Sequence, residues 1–356
     1  MRPSWLTDEQ LQLRDMLHRM MADRPGTIEQ LAELGIMGAT IPDADGGLGF
    51  GLAEAMIVAE ALGRGRSTIP FIETSVLGAS LIVSLGSSAQ RAAWLPRIAE
   101  GRLTIAPAFA EAMVLDPTAP RTTSFAEADG YVLNGIKTPV RFPDSGLILL
   151  NARYGDGISL HLVAPAALPL GARFSMIDDV PGATIELKAC RLGPETLLGQ
   201  PGKAGPALRE ALEAAMVAQS AEQTGIMAHL INATIDHLKQ RRQFGAALSS
   251  FQVLQHRVAD MMLAYEKAES MATKARLQST GAGGIDRRTS LGAAALAAQG
   301  AQFVGHQAIQ LHGGMGVTEE LSVGPAVKRL YALETRFGSV DRMTAKFATA
   351  THGMVA

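Results

Sequence analysis

Two stretches of this chain carry residue types suited to holding an anion. In "KQRRQFGAALSSFQVLQHR" (239–257), Arg241 falls near the end of one predicted helix and Gln252 near the start of the next. Phe244 and Gly245 lie at the turn between them. A guanidinium offers a planar fork that grips two phosphate oxygens at once, which a lysine ammonium does not, so this pattern fits a diphosphate. It also fits a basic helix end that offsets the helix dipole beside a core phenylalanine. In "QLHGGMG" (310–316), Gly313 and Gly314 permit positive φ and bring bare backbone N–H groups to an anion. Gln310 adds an amide, and His306 lies one turn back on the same helix face. A plain glycine C-cap is the competing reading.

The elements that must position these residues follow from periodicity. Residues 1–105 read as helical: Thr7 caps a helix with Gln10 as its box partner, and Leu13, Leu17, Met20 and Met21 form an apolar face. Helical spacing resumes at "LAEAMIVAEALGRG" and again at "SSAQRAAWLPRIAEG". Residues 106–205 change period. "DGYVLNGIK" alternates and ends in Asn-Gly, a hairpin signal; "LILLNARYGDGISLHLVAP" reads as two strands around 155–157, and "ATIELKACRLG" as another. From 206 to 356 the helices return and are longer. Leu208, Leu212 and Met216 lead into Ile226, Leu230, Ile235 and Leu238. Phe251, Leu254, Val258, Met261, Met262 and Tyr265 mark a second helix, "RRTSLGAAALAAQGAQFVGHQAIQ" a third, and Thr318 with Glu319 and Glu320 the start of a fourth. The expected organisation is α+β: an N-terminal helical domain, a central β domain and a C-terminal four-helix bundle.

Composition narrows the function. With 356 residues, 47% of them hydrophobic, the chain exceeds one compact core. A formal charge of −2 gives no general field for nucleic acid or anionic lipid. Cys190 is the only cysteine, so no internal disulfide forms and a reducing cytoplasm is expected; the opening "MRPSWLTDEQ" has no leader pattern, and no apolar run reaches the roughly 18 residues of a membrane span. His229, His237, His256, His306 and His312 lack metal-ligand spacing, so no metal is expected. Cys190, in a predicted strand, reads as a small core residue, and the 16 methionines mostly as core filler.

The order "RRQFG…FQ" and then "QLHGG", after a central β domain, resembles the acyl-CoA dehydrogenase family of flavoproteins. "LGIMGATIPDADGGLG", "QRAAWLPRIAEGR", "DGYVLNGIK" and "ETLLGQPGKAGPAL" extend the likeness over nearly the whole chain. The resemblance implies that the central β domain is a barrel and that FAD is held across a subunit interface. Arg241, Phe244 and Gln252 match the positions that meet the pyrophosphate and adenine of FAD in the neighbouring subunit, and Gln310, Leu311, His312, Gly313 and Gly314 match the loop that meets the same dinucleotide. The implied reaction is α,β-dehydrogenation of an acyl-CoA thioester: a carboxylate removes the α-proton while a hydride passes to flavin N5. Electron-transfer flavoprotein is the implied electron acceptor.

The chain departs from the family where the chemistry would occur. One seat of the family's base holds Phe337, in "LETRFGSVD", and the other, 29 residues before Phe244, holds Ala215. Glu213 lies about 200° round a helix from Ala215, and Glu334 lies three residues before Phe337; each reads more simply as a solvated helix carboxylate. The stretch flanking the flavin becomes "PAFAEAMVLDP" around Glu111, and Pro139 and Arg141 stand where a flavin-stacking aromatic and a hydroxyl near N5 are expected. The pattern is similar to small subunits of two-subunit acyl-CoA dehydrogenases of the pimeloyl-CoA and steroid side-chain types. The expected function is a flavin-binding subunit whose partner supplies the base. A self-sufficient homo-oligomer with a displaced Glu and a flavin-free structural partner remain alternatives.

Overall fold

The computed structural model describes residues 5–22, 25–112, 116–280, 285–337 and 340–352. By contact the chain divides into two compact units: 1–26, 52–68 and 216–356 form one, and 27–51 with 69–215 the other. The first is helical; the second combines helices with the sheet.

The helical unit contains α1 (Asp8–Met20) and α3 (Leu52–Arg64), with α2 (Ile28–Glu33) between them in sequence but in the other unit. Thr7 and Gln10 form the expected reciprocal cap: the Gln10 amide donates to Thr7 Oγ1, and the Thr7 amide to Gln10 Oε1, each at 3.2 Å. Such a cap contributes about 1 kcal/mol. The long helices are α6 (Gly205–Gln240), α7 (Gln252–Ser279) and α8 (Arg287–His312), followed by α9 (Val323–Glu334) and α10 (Val340–His352). From Met216 onward α6 belongs to this unit. Ile226, Leu230, Met261, Ala301, Val304, Leu330 and Leu333 meet in its core. Met261 is buried as its spacing predicts, whereas Met262, one position round α7, is 45% exposed.

α3 and α6 approach backbone to backbone. A Cβ on Gly63 would lie 2.1 Å from the Glu222 carbonyl oxygen, and one on Gly225 2.1 Å from that of Glu60, so neither position accepts a side chain. Beside this crossing, Glu222 is buried and neutralised by two arginines. Its Oε1 accepts from Arg329 Nε at 3.0 Å and Nη2 at 2.7 Å, and its Oε2 accepts from Arg336 Nη1 at 3.0 Å. Gln219 Nε2 donates to the Leu333 carbonyl at 3.0 Å, so it too ties α6 to α9. Four successive long helices were expected, the last starting at Thr318. In the structure Thr318 instead ends a 3-10 turn, Gly313–Val317, and donates its hydroxyl to the Met315 carbonyl; α9 starts five residues later at Val323. Thr318 therefore lies outside α9, and Ser322 takes the N-cap position.

In the second unit, α2, a π-helical turn (Ile72–Gly78) continuing into α4 (Ala79–Leu85), and α5 (Ser88–Ala99) accompany one eight-stranded sheet. Its strands are β1 (Ile105–Ala108), β2 (Thr123–Glu127), β3 (Gly130–Arg141), β4 (Leu147–Tyr154), β5 (Gly157–Val163), β6 (Leu170–Ser175), β7 (Pro181–Leu192) and β8 (Leu197–Leu198). The strands expected to form a barrel run in the order β6-β7-β3-β2-β4-β5-β8, with β1 parallel on β4. Leu133, Val140, Ile148, Leu150, Ile185 and Leu187 form the core.

The β4–β5 turn falls at 155–156 as read from sequence. The Asn-Gly signal does not make a turn. Asn134-Gly135 lies inside β3, where the register with β7 shifts between Leu133 and Gly135, and the hairpin turns at 128–129 instead. Asn134 Oδ1 accepts from the Ala189 amide at 2.8 Å, so the residue that would have built a turn secures a bulge. Cys190, opposite Leu133 on β7, is partly buried, and burial pushes its thiol up, away from the nucleophilic thiolate.

The Glu222 cluster yields a stability prediction. Arg329→Ala leaves a buried carboxylate short of a partner and is expected to cost about 3–5 kcal/mol in urea unfolding. The triple replacement Glu222→Leu, Arg329→Met, Arg336→Leu, which removes every charge together, is expected to cost far less. Equal losses in both would refute the assignment of the cost to unpaired charge.

Candidate functional site

The two anion-suited stretches come together in the helical unit. α6 ends at Gln240, and the chain turns through a two-stranded ribbon, β9 (Arg242–Gln243) and β10 (Ala246–Ala247), before α7. The two loop residues, Phe244 and Gly245, both have positive φ, 53° and 80°, the mark of a tight primed turn. A left-handed phenylalanine costs about 1–2 kcal/mol. Its ring is 91% exposed, edge-on to Phe251 at 6.3 Å between centroids. The Leu248 amide donates to the Arg241 carbonyl at 2.8 Å and fixes the ribbon against the helix end.

The ribbon, the end of α6, the start of α7 and the end of α8 enclose a cleft of about 880 Å³. Arg241, Phe244, Gln310, Leu311, His312, Gly313 and Gly314 line it, as do His237, Phe251, Val253, Leu254 and Arg257. Of the eight residues expected to hold the dinucleotide, only Gln252 is not among the lining residues; it is exposed as the first residue of α7. His306 does not line the cleft either. It is exposed beside Tyr331, with ring centroids 6.0 Å apart. His237 and Arg257 were missed as lining residues. Their positions, one turn before Arg241 and one turn after Val253, were the available signals.

The cleft has the electrostatics of an anion site. Arg241 and Arg257 line it, and no carboxylate does so among the described residues. At the start of α7 the N-cap is Phe251, which has no side-chain acceptor for the first-turn N–H groups, so an anion could satisfy them. Gly313 is indeed a helix C-cap, with φ 62° and ψ −143°, backbone angles that only glycine adopts readily. The capping and anion readings are therefore compatible. A Cβ on Gly313 or Gly314 would meet nothing within 4 Å, whereas one on Gly316 would lie 2.9 Å from the Ile309 carbonyl oxygen. Gly316 serves packing; the Gly313 amide donates to the Gln310 carbonyl, and Gly313 and Gly314 leave open space where a side chain would stand.

The other unit holds buried charges of a different kind. Lys137 is fully buried and donates to Glu111 Oε1 at 2.5 Å and Asn151 Oδ1 at 2.7 Å; Glu111 also accepts from the Arg121 and Thr122 amides. Burial pushes Glu111 up, but the bonds from Lys137 and Thr122 outweigh it and leave the carboxyl below its ordinary range. Burial pulls Lys137 down to about 8 despite Glu111. Arg141 is paired with Asp178 through Nη1 at 3.1 Å and Nη2 at 2.6 Å. Thus the residue at the position expected to hold a hydroxyl near the flavin is a guanidinium already committed to a carboxylate, and Pro139 offers no aromatic face. The nucleotide-tail residues fit a dinucleotide; these ring-end residues do not supply the expected contacts.

The base seats hold buried apolar side chains, Ala215 at 0% and Phe337 at 7% exposure. Glu334 accepts from Gln302 Nε2 at 2.7 Å, and Glu213 is half-buried on α6. No group of three or more His, Cys, Asp or Glu suited to a metal occurs among the described residues. No helix among them is long and apolar enough to cross a membrane.

Family models agree with this architecture at both ends of the chain. The acyl-CoA dehydrogenase N-terminal domain matches residues 7–102, and the acyl-CoA dehydrogenase C-terminal domain matches residues 206–350, which carry the whole cleft. The chain belongs to the acyl-CoA dehydrogenase family. Members of this family are FAD-binding flavoproteins, oxidoreductases that act on the CH–CH group of an acyl-CoA. The chain is 27% identical to human mitochondrial short-chain specific acyl-CoA dehydrogenase over 307 residues, 83% of this chain and 74% of that one. Among solved structures, a variant of the Tcur3481–Tcur3483 steroid ACAD is 26% identical, with a TM-score of 0.87 over 98% of this chain and 99% of that one. The ChsE4–ChsE5 complex from Mycobacterium tuberculosis shares the fold at 20% identity, with a TM-score of 0.87 over 98% of each chain.

The charges and glycines of this chain lead to two expected outcomes. Gly314→Ala should unfold in urea like the wild type yet bind FAD or ADP-ribose at least tenfold more weakly, whereas Gly316→Ala should lose stability directly. Equal nucleotide binding by Gly314→Ala would show that the bare backbone is not used. For Lys137, the unfolded side chain, near 10.4, binds more protons than the folded one between about pH 8 and 10.5. Stability relative to Lys137→Met is therefore expected to rise with pH across that window and stay level below it. Parallel stability curves for the two proteins would overturn this.

Proposed function

We propose that this chain is the flavin-binding subunit of a heteromeric acyl-CoA dehydrogenase, holding the nucleotide tail of FAD while the partner chain supplies the catalytic base. The observation that carries the reading is a well-formed anion cleft in a chain whose two base seats are occupied by Ala215 and Phe337. Neither side chain can accept a proton, so α-proton abstraction falls to a carboxylate outside these seats. Glu334 and Glu213 are the internal alternatives; the Glu334 bond to Gln302 gives it a structural role already.

The subunit's own contribution is binding and orientation. Arg241, Phe244, Gln310, Leu311, His312, Gly313 and Gly314 hold the diphosphate and adenosine end of FAD, with Gln252 at the edge of the same helix start. The bound flavin supplies the hydride acceptor for oxidation of an acyl-CoA, and electron-transfer flavoprotein takes the electrons onward. Phe244 at 91% exposure, with Val253 at 64% and Leu263 at 58% nearby on α7, supports a second chain completing this face. Water exclusion from the cleft would strengthen the grip of Arg241 on a phosphate. A heterotetramer and a homo-oligomer both provide that second chain; the empty base seats favour the heteromer.

The test is co-expression with the product of the adjacent gene. The pair should be yellow and should reduce a dye with an acyl-CoA, and neither chain alone should reduce the dye. Arg241→Ala should strip flavin from the pair. Full dye reduction by this chain alone, abolished by Glu334→Gln or Glu213→Gln, would replace the proposal with a self-sufficient enzyme. Unchanged flavin content and activity in the Arg241→Ala pair would leave this chain a structural partner.

A further inference from the structure

The same cleft contains a pair of histidines. His237, one turn before the end of α6, lies against His312, the last residue of α8, with ring centroids 4.4 Å apart and planes tilted by 30°. Both rings line the cleft together with Arg241, whose amide donates to the His237 carbonyl at 2.9 Å. His312 is buried, and its Nδ1 lies 2.8 Å from the Ala308 carbonyl oxygen. A carbonyl only accepts, so Nδ1 carries the proton of the neutral ring and Nε2 is an acceptor. A neutral His312 therefore has no donor left for a phosphate, and gains one only by taking up a second proton.

We propose that the His237–His312 pair is a proton-binding part of the diphosphate site, so that a dinucleotide's diphosphate enters the cleft together with a proton drawn onto the stacked rings. The proposal rests on the reading of this cleft as a diphosphate site. The charged groups facing the pair are Arg241 from α6 and Arg257 from α7; the glycine turn after α8 presents backbone, and no carboxylate lines the cleft among the described residues. With only cations around it, the empty cleft disfavours a further charge on His237, and an arriving diphosphate reverses that balance. In keeping with this, burial, followed by the charges of His312 and Arg241, holds the His237 imidazole below its ordinary value.

The consequence is a sign. A group whose proton affinity rises on binding gives tighter binding at low pH, lost as pH rises through the window between its free and bound values. The probe is ADP-ribose, whose two bridging phosphates carry fixed charge between pH 6 and 8, titrated calorimetrically into the full chain in buffers of different ionisation enthalpy. The expected result is net proton uptake of up to one per site and an affinity that falls by as much as about tenfold per pH unit, the linkage of one proton. His237→Phe, which keeps a ring in the stack, and His312→Gln should each flatten the pH profile. Histidine NMR shifts of the wild-type protein should report the protonation directly, independent of any variant's folding.

Arg241-dependent binding with no proton uptake, a flat pH profile and unmoved histidine shifts would overturn the proton linkage while leaving the diphosphate cleft intact. No binding of ADP-ribose, or binding indifferent to Arg241→Ala, would overturn the cleft reading and the linkage with it.

Discussion

A charge removed from water must be neutralised nearby, and this protein is organised around where that is done and where it is left undone. Glu222 is held by Arg329 and Arg336, Lys137 by Glu111 and Asn151, and Arg141 by Asp178. Each pair ties separate segments of one unit together, because an unpaired buried ion costs more than most single contacts return. The cleft follows the opposite rule. Arg241 and Arg257 line it with no carboxylate among the described lining residues, and a bare glycine backbone completes the wall. An unbalanced positive cleft is what a diphosphate needs.

That contrast also accounts for the division between the chain's two kinds of departure from its family. In the proposed reading, the cleft keeps its residue types because a diphosphate makes fixed demands: a forked cation and no intruding side chain. At the ring end, Arg141 engages Asp178 instead of offering a hydroxyl, and at the base seats Ala215 and Phe337 are buried in place of a carboxylate. These changes spare folding, since each substituted group is either paired or apolar. The cleft and the base seats lie at different places in the chain, so the residues of one can change without disturbing the other.

The histidine pair fits the same logic. Placing imidazoles rather than arginines deeper in the cleft limits the charge that must be endured when the cleft is empty. Their charge can appear when an anion arrives to balance it.

Local chemistry was legible in the sequence. The Thr7–Gln10 cap, the helix end at Arg241, the tight Phe244-Gly245 turn, the glycine C-cap at Gly313 and the alternating strands all depend on neighbours within a few residues, and the structure has them. Where a local signal had two uses, tertiary contacts chose between them. Asn134-Gly135 became a bulge because β7 pairs across it and Ala189 bonds to the Asn side chain; Thr318 caps no helix because the chain continues for four more residues before α9, whose N-cap position falls to Ser322. Only the fold could place His237 against His312, 75 positions away, exclude His306 from the cleft, or bury Glu222 between two arginines more than 100 residues downstream. Sequence spacing determines what a short segment can form; which distant side chains share one low-dielectric space is decided by the packing of whole helices.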